Sequence, residues 1–314
     1  MAHETGTGKY EQLVARCKSF APVTTAVVHP CEQSALAGAA EAAAEGLITP
    51  IYVGPKARIA EIASKGRIDL GGAEIIDAPH SHAAAQQAVA LVREGRAELL
   101  MKGSLHTDEL LGAVVARESG LRTGRRISHA FLMDVPTYHK VLIVTDAAIN
   151  IAPTLEDKVD ICQNAVDLAV SLGLKQPKVA VVAAVETVTS KMPATIDAAA
   201  LCKMAERGQI KNALLDGPLA FDNAISREAA RTKGIESDVA GDPDILLAPD
   251  LEAGNILAKL LSFLARADSA GLVLGARVPI ILTSRADSVR ARIASCAVAM
   301  LAAHARRKAA TVAS

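Results

Sequence analysis

The chain has 314 residues, of which 51% are hydrophobic and only 2% aromatic, with no tryptophan. That length supports one large or two ordinary domains, and the core has to be built from Ala, Val, Leu and Ile, as in layered α/β proteins. Thirty-four Lys plus Arg balance 34 Asp plus Glu, and without a basic excess or stripe a nucleic-acid partner is not expected.

In chain order, short apolar strands alternate with longer amphipathic helices. Residues 24–29 read as a strand, and the Ala-rich stretch after Pro30, to about Glu45, as a helix. Residues 49–54 form the next strand, followed by a helix to about Lys65. Strands at 73–77 and 97–103 bracket a helix over roughly 82–94, and a helix at 107–118 follows. Two adjacent apolar runs, 127–135 and 140–146, flank Pro136, Thr137, Tyr138 and His139, a spacing that predicts a hairpin. A helix at 154–172 starts after Pro153 and carries Ile161, Ala165, Leu168 and Leu172 on one face. Strand 178–184, helix 195–207, strand 212–218 and helix 222–232 come next. Strand 244–250 leads into helix 251–264. Strand 278–284 precedes a terminal helix at 287–304, with Ile293, Ala297, Met300, Leu301 and His304 along one side. Such alternation implies right-handed crossovers and a largely parallel sheet, in which ligands gather outside the carboxyl ends of the strands.

That rule selects the residues to inspect. After strand 97–103, Lys102 and Gly103 lead into Ser104, Leu105, His106 and Thr107 ahead of a helix, a plausible anion cradle unless Thr107 simply caps the helix. After strand 140–146 stand Asp146 and Asn150, which suit polar ligands and tight turns equally. After strand 244–250, Asp250 fits a helix cap, whereas Gly254 and Asn255 are poor helix formers that point to close approach of backbone or ligand. After strand 278–284 stand Ser284, Arg285, Asp287 and Ser288. A cap explains Asp287 or Ser288, but not a hydroxyl beside a guanidinium, whose rigid fork grips phosphate. The run Gly6-Thr7-Gly8-Lys9 lacks the rest of a P-loop, and no GxGxxG follows the first strand.

Taken together, segments 101–107, 146–158, 216–226, 240–256 and 278–288 resemble the phosphate acetyl/butyryltransferase family over about residues 10–306. The final segment is more similar to the butyryltransferase branch. The resemblance implies a two-domain isocitrate/isopropylmalate-dehydrogenase-like α/β fold, with largely parallel sheets flanked by helices and a cleft between domains. Domain I would be discontinuous, 1–137 plus 288–314, with domain II at 138–287. It implies a homodimer that turns acyl-CoA and inorganic phosphate into acyl phosphate and CoA, with an acetyl or butyryl chain. No cofactor or metal is needed, since coenzyme A is itself a substrate. By this similarity Arg285 binds phosphate, Ser284 bonds the developing charge or the CoA sulfur, and Asp287 is the nearby carboxylate. Lys102, Ser104, His106, Thr107, Asp146, Asn150, Asp250, Gly254 and Asn255 are the expected substrate-binding set.

Two positions depart from the acetyltransferase pattern. Ala291 stands where that branch has an Asp base, and Leu111 where it has an Arg, so that Arg122, Arg125 or Arg126 becomes the candidate cation for CoA. Two other readings stay open: a metal-dependent hydroxyacid dehydrogenase using Asp216, Asp222, Asp242 and Asp250, and a catalytically inactive acyl-CoA-binding subunit. The five scattered cysteines show no zinc-like spacing. With neither a run of ~20 apolar residues nor an apolar leader centre, a cytoplasmic protein without a membrane partner is expected.

Overall fold

The computed structural model describes residues 8–283 and 287–313. Two compact units make up the chain: an outer one of Tyr10–Arg125 and Ala270–Ser314, and a central one of Arg126–Ser269 with the segment up to Lys9.

The chain opens with α1 (Lys9–Cys17), to which the sequence reading assigns no element. The outer unit then builds β1 (Val23–Val28), α2 (Gln33–Ala44), β2 (Ile48–Gly54), α3 (Lys56–Gly66), β3 (Ile75–Asp77), α4 (Ser81–Arg93), β4 (Leu99–Lys102) and α5 (Thr107–Val115). The strands are parallel, β1 lying between β2 and β4 with Val28 level with Val53 and Lys102. Their apolar runs are continuous because both faces are covered: Val27, Tyr52, Leu99 and Leu100 are fully buried. Alanines on α2 and α4 bury without a large side chain, which lets the helices lie close to the strands.

The central unit starts with β5 (Ser128–Asp134) and β6 (Leu142–Thr145), the expected antiparallel hairpin. It continues through α6 (Leu155–Ser171), β7 (Lys178–Val182), α7 (Pro193–Glu206), β8 (Leu214–Leu219), α8 (Phe221–Ile225), α9 (Arg227–Thr232), β9 (Ile245–Leu247) and α10 (Leu251–Phe263). The strand order is β5-β6-β9-β7-β8, parallel from β6 onward. The core joins Met133, Leu142, Val144, Ala180, Leu246 and Leu261. The single helix expected at 222–232 is broken in two, because the Ser226 side chain accepts from Ala229 N at 3.2 Å and starts a new helix there.

The chain re-enters the outer unit through β10 (Asp268–Leu274), β11 (Ile280–Ile281) and α11 (Val289–Ala313). The sequence reading has no strand at β10. β11 inserts between β4, to which it is parallel, and β10, to which it is antiparallel. The units divide at 9/10, 125/126 and 269/270, where the sequence reading places its boundaries at 137/138 and 287/288. α11 is also more enclosed than a one-sided amphipathic pattern implies: every residue from 291 to 303 is buried.

Candidate active site

In the outer unit the carboxyl ends of β1, β4 and β11 lie side by side. Gly103 turns the chain out of β4 directly against the turn after β1. A Cβ there would sit 2.3 Å from the Val28 carbonyl oxygen and 2.6 Å from that of His29, so no other residue fits. Its amide donates to Val28 O at 2.9 Å. Ser104 completes the join: its hydroxyl donates to His29 O at 2.7 Å and accepts from Cys31 N at 2.9 Å. His29 adopts φ +52°, a left-handed conformation rare outside glycine and frequent at functional sites. Burial, and then the neighbouring Arg58 cation, hold its imidazole below the usual histidine range.

A pocket opens beside this join, lined by Glu32, Ser34, Ala35, Lys102, Thr283 and Arg292 among others. Arg292 projects from α11 and is 6% exposed. Its Cδ lies only 2.7 Å from where a Cβ on Gly38 would stand, so its stem occupies a notch left in α2. His106 is exposed at the cap position of α5 and makes no capping bond, and Thr107 is that helix's first residue.

In the central unit Asp146, 3% exposed, follows β6 directly. Its Oδ1 accepts from Ala148 N and Ile149 N at 2.9 and 3.1 Å, and its Oδ2 from Asn150 N at 3.2 Å and from the Asn150 side-chain amide. Asn150 also accepts from Arg126 Nε at 2.7 Å and donates to Ile127 O at 2.9 Å. Asp250 caps α10 through Ala253 N at 2.8 Å. Gly254 allows that helix to touch the loop after β6, since a Cβ would be 2.2 Å from Asp146 O, and Asn255 donates to Ala147 O at 2.8 Å. Asp146, Asn150, Asp250 and Asn255 therefore direct these polar atoms at the protein itself. Nearby, His129 is 1% exposed and its Nδ1 has no hydrogen-bond partner. Burial drives its imidazole down to about 4, against a smaller upward pull from Asp146.

Of the remaining sequence candidates, Ser284 and Arg285 lie outside the described residues. Asp287 is half-buried ahead of α11, which Ser288 caps through Ala291 N at 3.1 Å. Arg126 is engaged by Asn150 and, at 3.6 Å, by Asp157. The four aspartates of the dehydrogenase reading are not gathered. Asp242 and Asp250 flank opposite ends of β9, Asp216 lies within β8 with Oδ1 on Gly217 N, and Asp222 pairs with Lys233. Among the described residues, no group of three or more His, Cys, Asp or Glu is placed to hold a metal ion, and no helix is long and apolar enough to cross a membrane. Sequence reasoning passed over His29, Glu32 and Arg292. The carboxyl-end rule applied to β1 would have selected the first two, and a glycine within α2 was the signal for the third.

Known proteins are similar to this chain in sequence and in fold. A family model described as phosphate acetyl/butaryl transferase matches residues 80–300. A phosphate acetyltransferase of Rhizobium meliloti is 66% identical over 305 residues, 97% of this chain and 96% of that protein. A phosphate butyryltransferase of Clostridium beijerinckii is 42% identical, over 94% of this chain and 97% of its own length. A branched-chain phosphotransacylase structure from Enterococcus faecalis superposes with a TM-score of 0.78 at 31% identity, covering 90% of this chain and 99% of that one.

Proposed function

Because the chain belongs to the phosphate acetyl/butaryl transferase family, we propose that it moves a short acyl group between coenzyme A and inorganic phosphate. The observation that carries the reading is a juxtaposition. Lys102 ends β4 and Thr283 follows β11, and these strands are hydrogen-bonded parallel neighbours. Lys102 and Thr283 thereby line one pocket.

The reaction needs no covalent enzyme intermediate. A phosphate oxygen attacks the thioester carbonyl and a C–O bond forms. The tetrahedral oxyanion collapses, the C–S bond breaks, and the thiolate leaves to be protonated. The protein must hold two anions together and stabilise the oxyanion. By family similarity Arg285 holds phosphate, Ser284 bonds the oxyanion or sulfur, and Asp287 is the adjacent carboxylate. Lys102 adds positive charge from β4. Asp146, Asn150, Asp250, Gly254 and Asn255 fit better as residues that fix the loop after β6 than as substrate contacts, because their polar groups bond the backbone.

The acetyl chain is favoured over butyryl by the higher identity to the acetyltransferase. The finer fold reading, an isocitrate-dehydrogenase-like pair of domains, is taken with this reading because the chain divides into two compact units. A cytoplasmic homodimer is the assembly taken with this reading, and light scattering tests its size. Thiol release from acetyl- through hexanoyl-CoA, with and without phosphate, tests the reaction. Phosphate-dependent release with an optimum at a short chain is expected, and release without phosphate refutes it.

A further inference from the structure

We propose that His29 is a positioning residue for acyl transfer: its main-chain carbonyl, turned by a left-handed backbone, fixes the loop that carries Ser104 and His106 from β4 to α5. The assignment rests on the phosphate-dependent reaction above and names a residue outside the segments that carry the family resemblance.

Three strands are tied together at this one residue, which directly follows β1. The His29 amide donates to Val53 O of β2 at 2.7 Å. Beyond β4, its carbonyl accepts from Ser104 N at 3.0 Å and from the Ser104 hydroxyl at 2.7 Å, and it also accepts from Cys31 N at 2.8 Å. Cys31 N lies 2.9 Å from the same hydroxyl, so oxygen, hydroxyl and amide form a closed triangle. A carbonyl oxygen offers two lone pairs, and three donors leave it no spare capacity. Ser104 is thereby held at both its amide and its side chain by a residue 75 positions earlier.

Local preference opposes this geometry. Residues other than glycine rarely adopt positive φ, with Asn, Asp and His the commonest exceptions, and the residue before a proline is restricted further. His29 nevertheless holds φ +52° immediately before Pro30. The facing loop makes room for it: a Cβ on Gly103 would stand 2.6 Å from His29 O and 2.7 Å from its carbonyl carbon. A conformation that persists against its own preference, with a glycine set opposite, marks a carbonyl whose direction matters.

The loop so held lies where precision counts. Lys102, next to Gly103, lines the pocket with Thr283, and α5 starts at Thr107. Reacting groups misplaced by about 1 Å lose on the order of 100-fold in rate. A β-branched residue at position 29 would favour negative φ and turn the carbonyl away from Ser104 and Cys31. The imidazole adds no charge at the join, because burial and then Arg58 hold it below the usual histidine range and it is neutral at neutral pH.

The test compares substitutions of His29 in the full chain by steady-state thiol release and by hydrogen exchange of the loop amides. Activity is expected to follow tolerance of the left-handed conformation. His29→Asn should keep kcat within about three-fold, whereas His29→Val should lower it about 10- to 100-fold with both KM values within about three-fold. The Ser104 and Cys31 amides should exchange slowly in the parent and in His29→Asn, and at least about 10-fold faster in His29→Val. His29→Ala should fall between them, and it carries the comparison with His29→Asn if His29→Val does not fold. Equal losses of kcat in His29→Asn and His29→Val, or a shifted pH profile in His29→Asn, would overturn the assignment, because the imidazole would then be the acting group. So would a His29→Val protein that turns over at the parental rate. Slow exchange lost only in His29→Val, in a chain without phosphate-dependent thiol release, would uphold the clasp and refute the transfer reaction.

Discussion

Gly254 is the position where local preference and tertiary packing disagree most sharply. Considered as a residue of α10 alone, Gly254→Ala should stabilise the helix by about 1 kcal/mol. Packing reverses that sign. The new Cβ would lie 2.2 Å from Asp146 O, 3.1 Å from its carbonyl carbon and 3.2 Å from Ala147 Cα, all of them backbone atoms without a rotamer to change. Restoring an ordinary C···O separation of about 3.3 Å requires α10 to retreat by roughly 1 Å. Overpacking of this kind costs about 1–3 kcal/mol, and stretching the Asn255–Ala147 hydrogen bond adds about 1 kcal/mol. The net expectation is a loss of roughly 1–3 kcal/mol, a fall in melting temperature of about 3–10 °C, with reduced turnover as the loop after β6 shifts. Gly112 in α5 is the matched control. A Cβ there meets nothing within 4 Å, so Gly112→Ala should gain up to about 1 kcal/mol. Urea titration followed by far-ultraviolet circular dichroism measures both. A Gly254→Ala protein as stable as the parent would refute the reasoning, because the backbone contact would then carry no energy.

His129 should make stability depend on pH. Its imidazole titrates near 4 in the folded chain and near the ordinary 6.5 when unfolded. The unfolded chain therefore binds more protons between these values, and stability falls as pH drops from 6.5 toward 4, by up to about 3 kcal/mol. His129→Gln should flatten that window in acid-unfolding curves. Asp242 gives a second, lower window. Burial opposes its ionisation, but hydrogen bonds from Lys178, Lys140 and His139 prevail and hold it far below the usual carboxylate range. Its contribution is present above about pH 4 and is lost as pH falls toward its folded value. Asp242→Asn should cost about 2–4 kcal/mol at pH 7, a deficit that narrows in strong acid. At the reaction centre, Arg285→Ala should lower phosphate-dependent thiol release by orders of magnitude with an unchanged melting curve, and near-full activity would remove its assigned role.

Periodicity located the strands at 24–29 and 49–54 within a residue of β1 and β2, and the connection around Pro136 marked the β5–β6 hairpin. Those signals are local. β10 was missed although its antiparallel partner β11 follows it closely in sequence, because Asp268, Ser269 and Gly271 interrupt the apolar run that would mark a strand. Asp250 was legible as a cap, and Gly254 as a close approach, because each residue type has few uses at its place in a helix. Arg292 was not legible. Its meaning depends on Gly38, more than two hundred positions earlier, and on the enclosure of α11, which an Ala-rich sequence presents as a one-sided pattern.

The placement of β11 also orders events during synthesis. When residues 10–125 have been made, β4 has β1 on one side and an open row of amides and carbonyls on the other, with the wholly buried Leu99, Leu100 and Met101 along it. Only after the central residues have followed does Ile280–Ile281 arrive to occupy that edge. An unpaired apolar edge templates pairing with other chains. The nascent outer unit therefore waits with its most adhesive strand uncovered, and a chain that stalls before residue 280 is the species a cell would find aggregating.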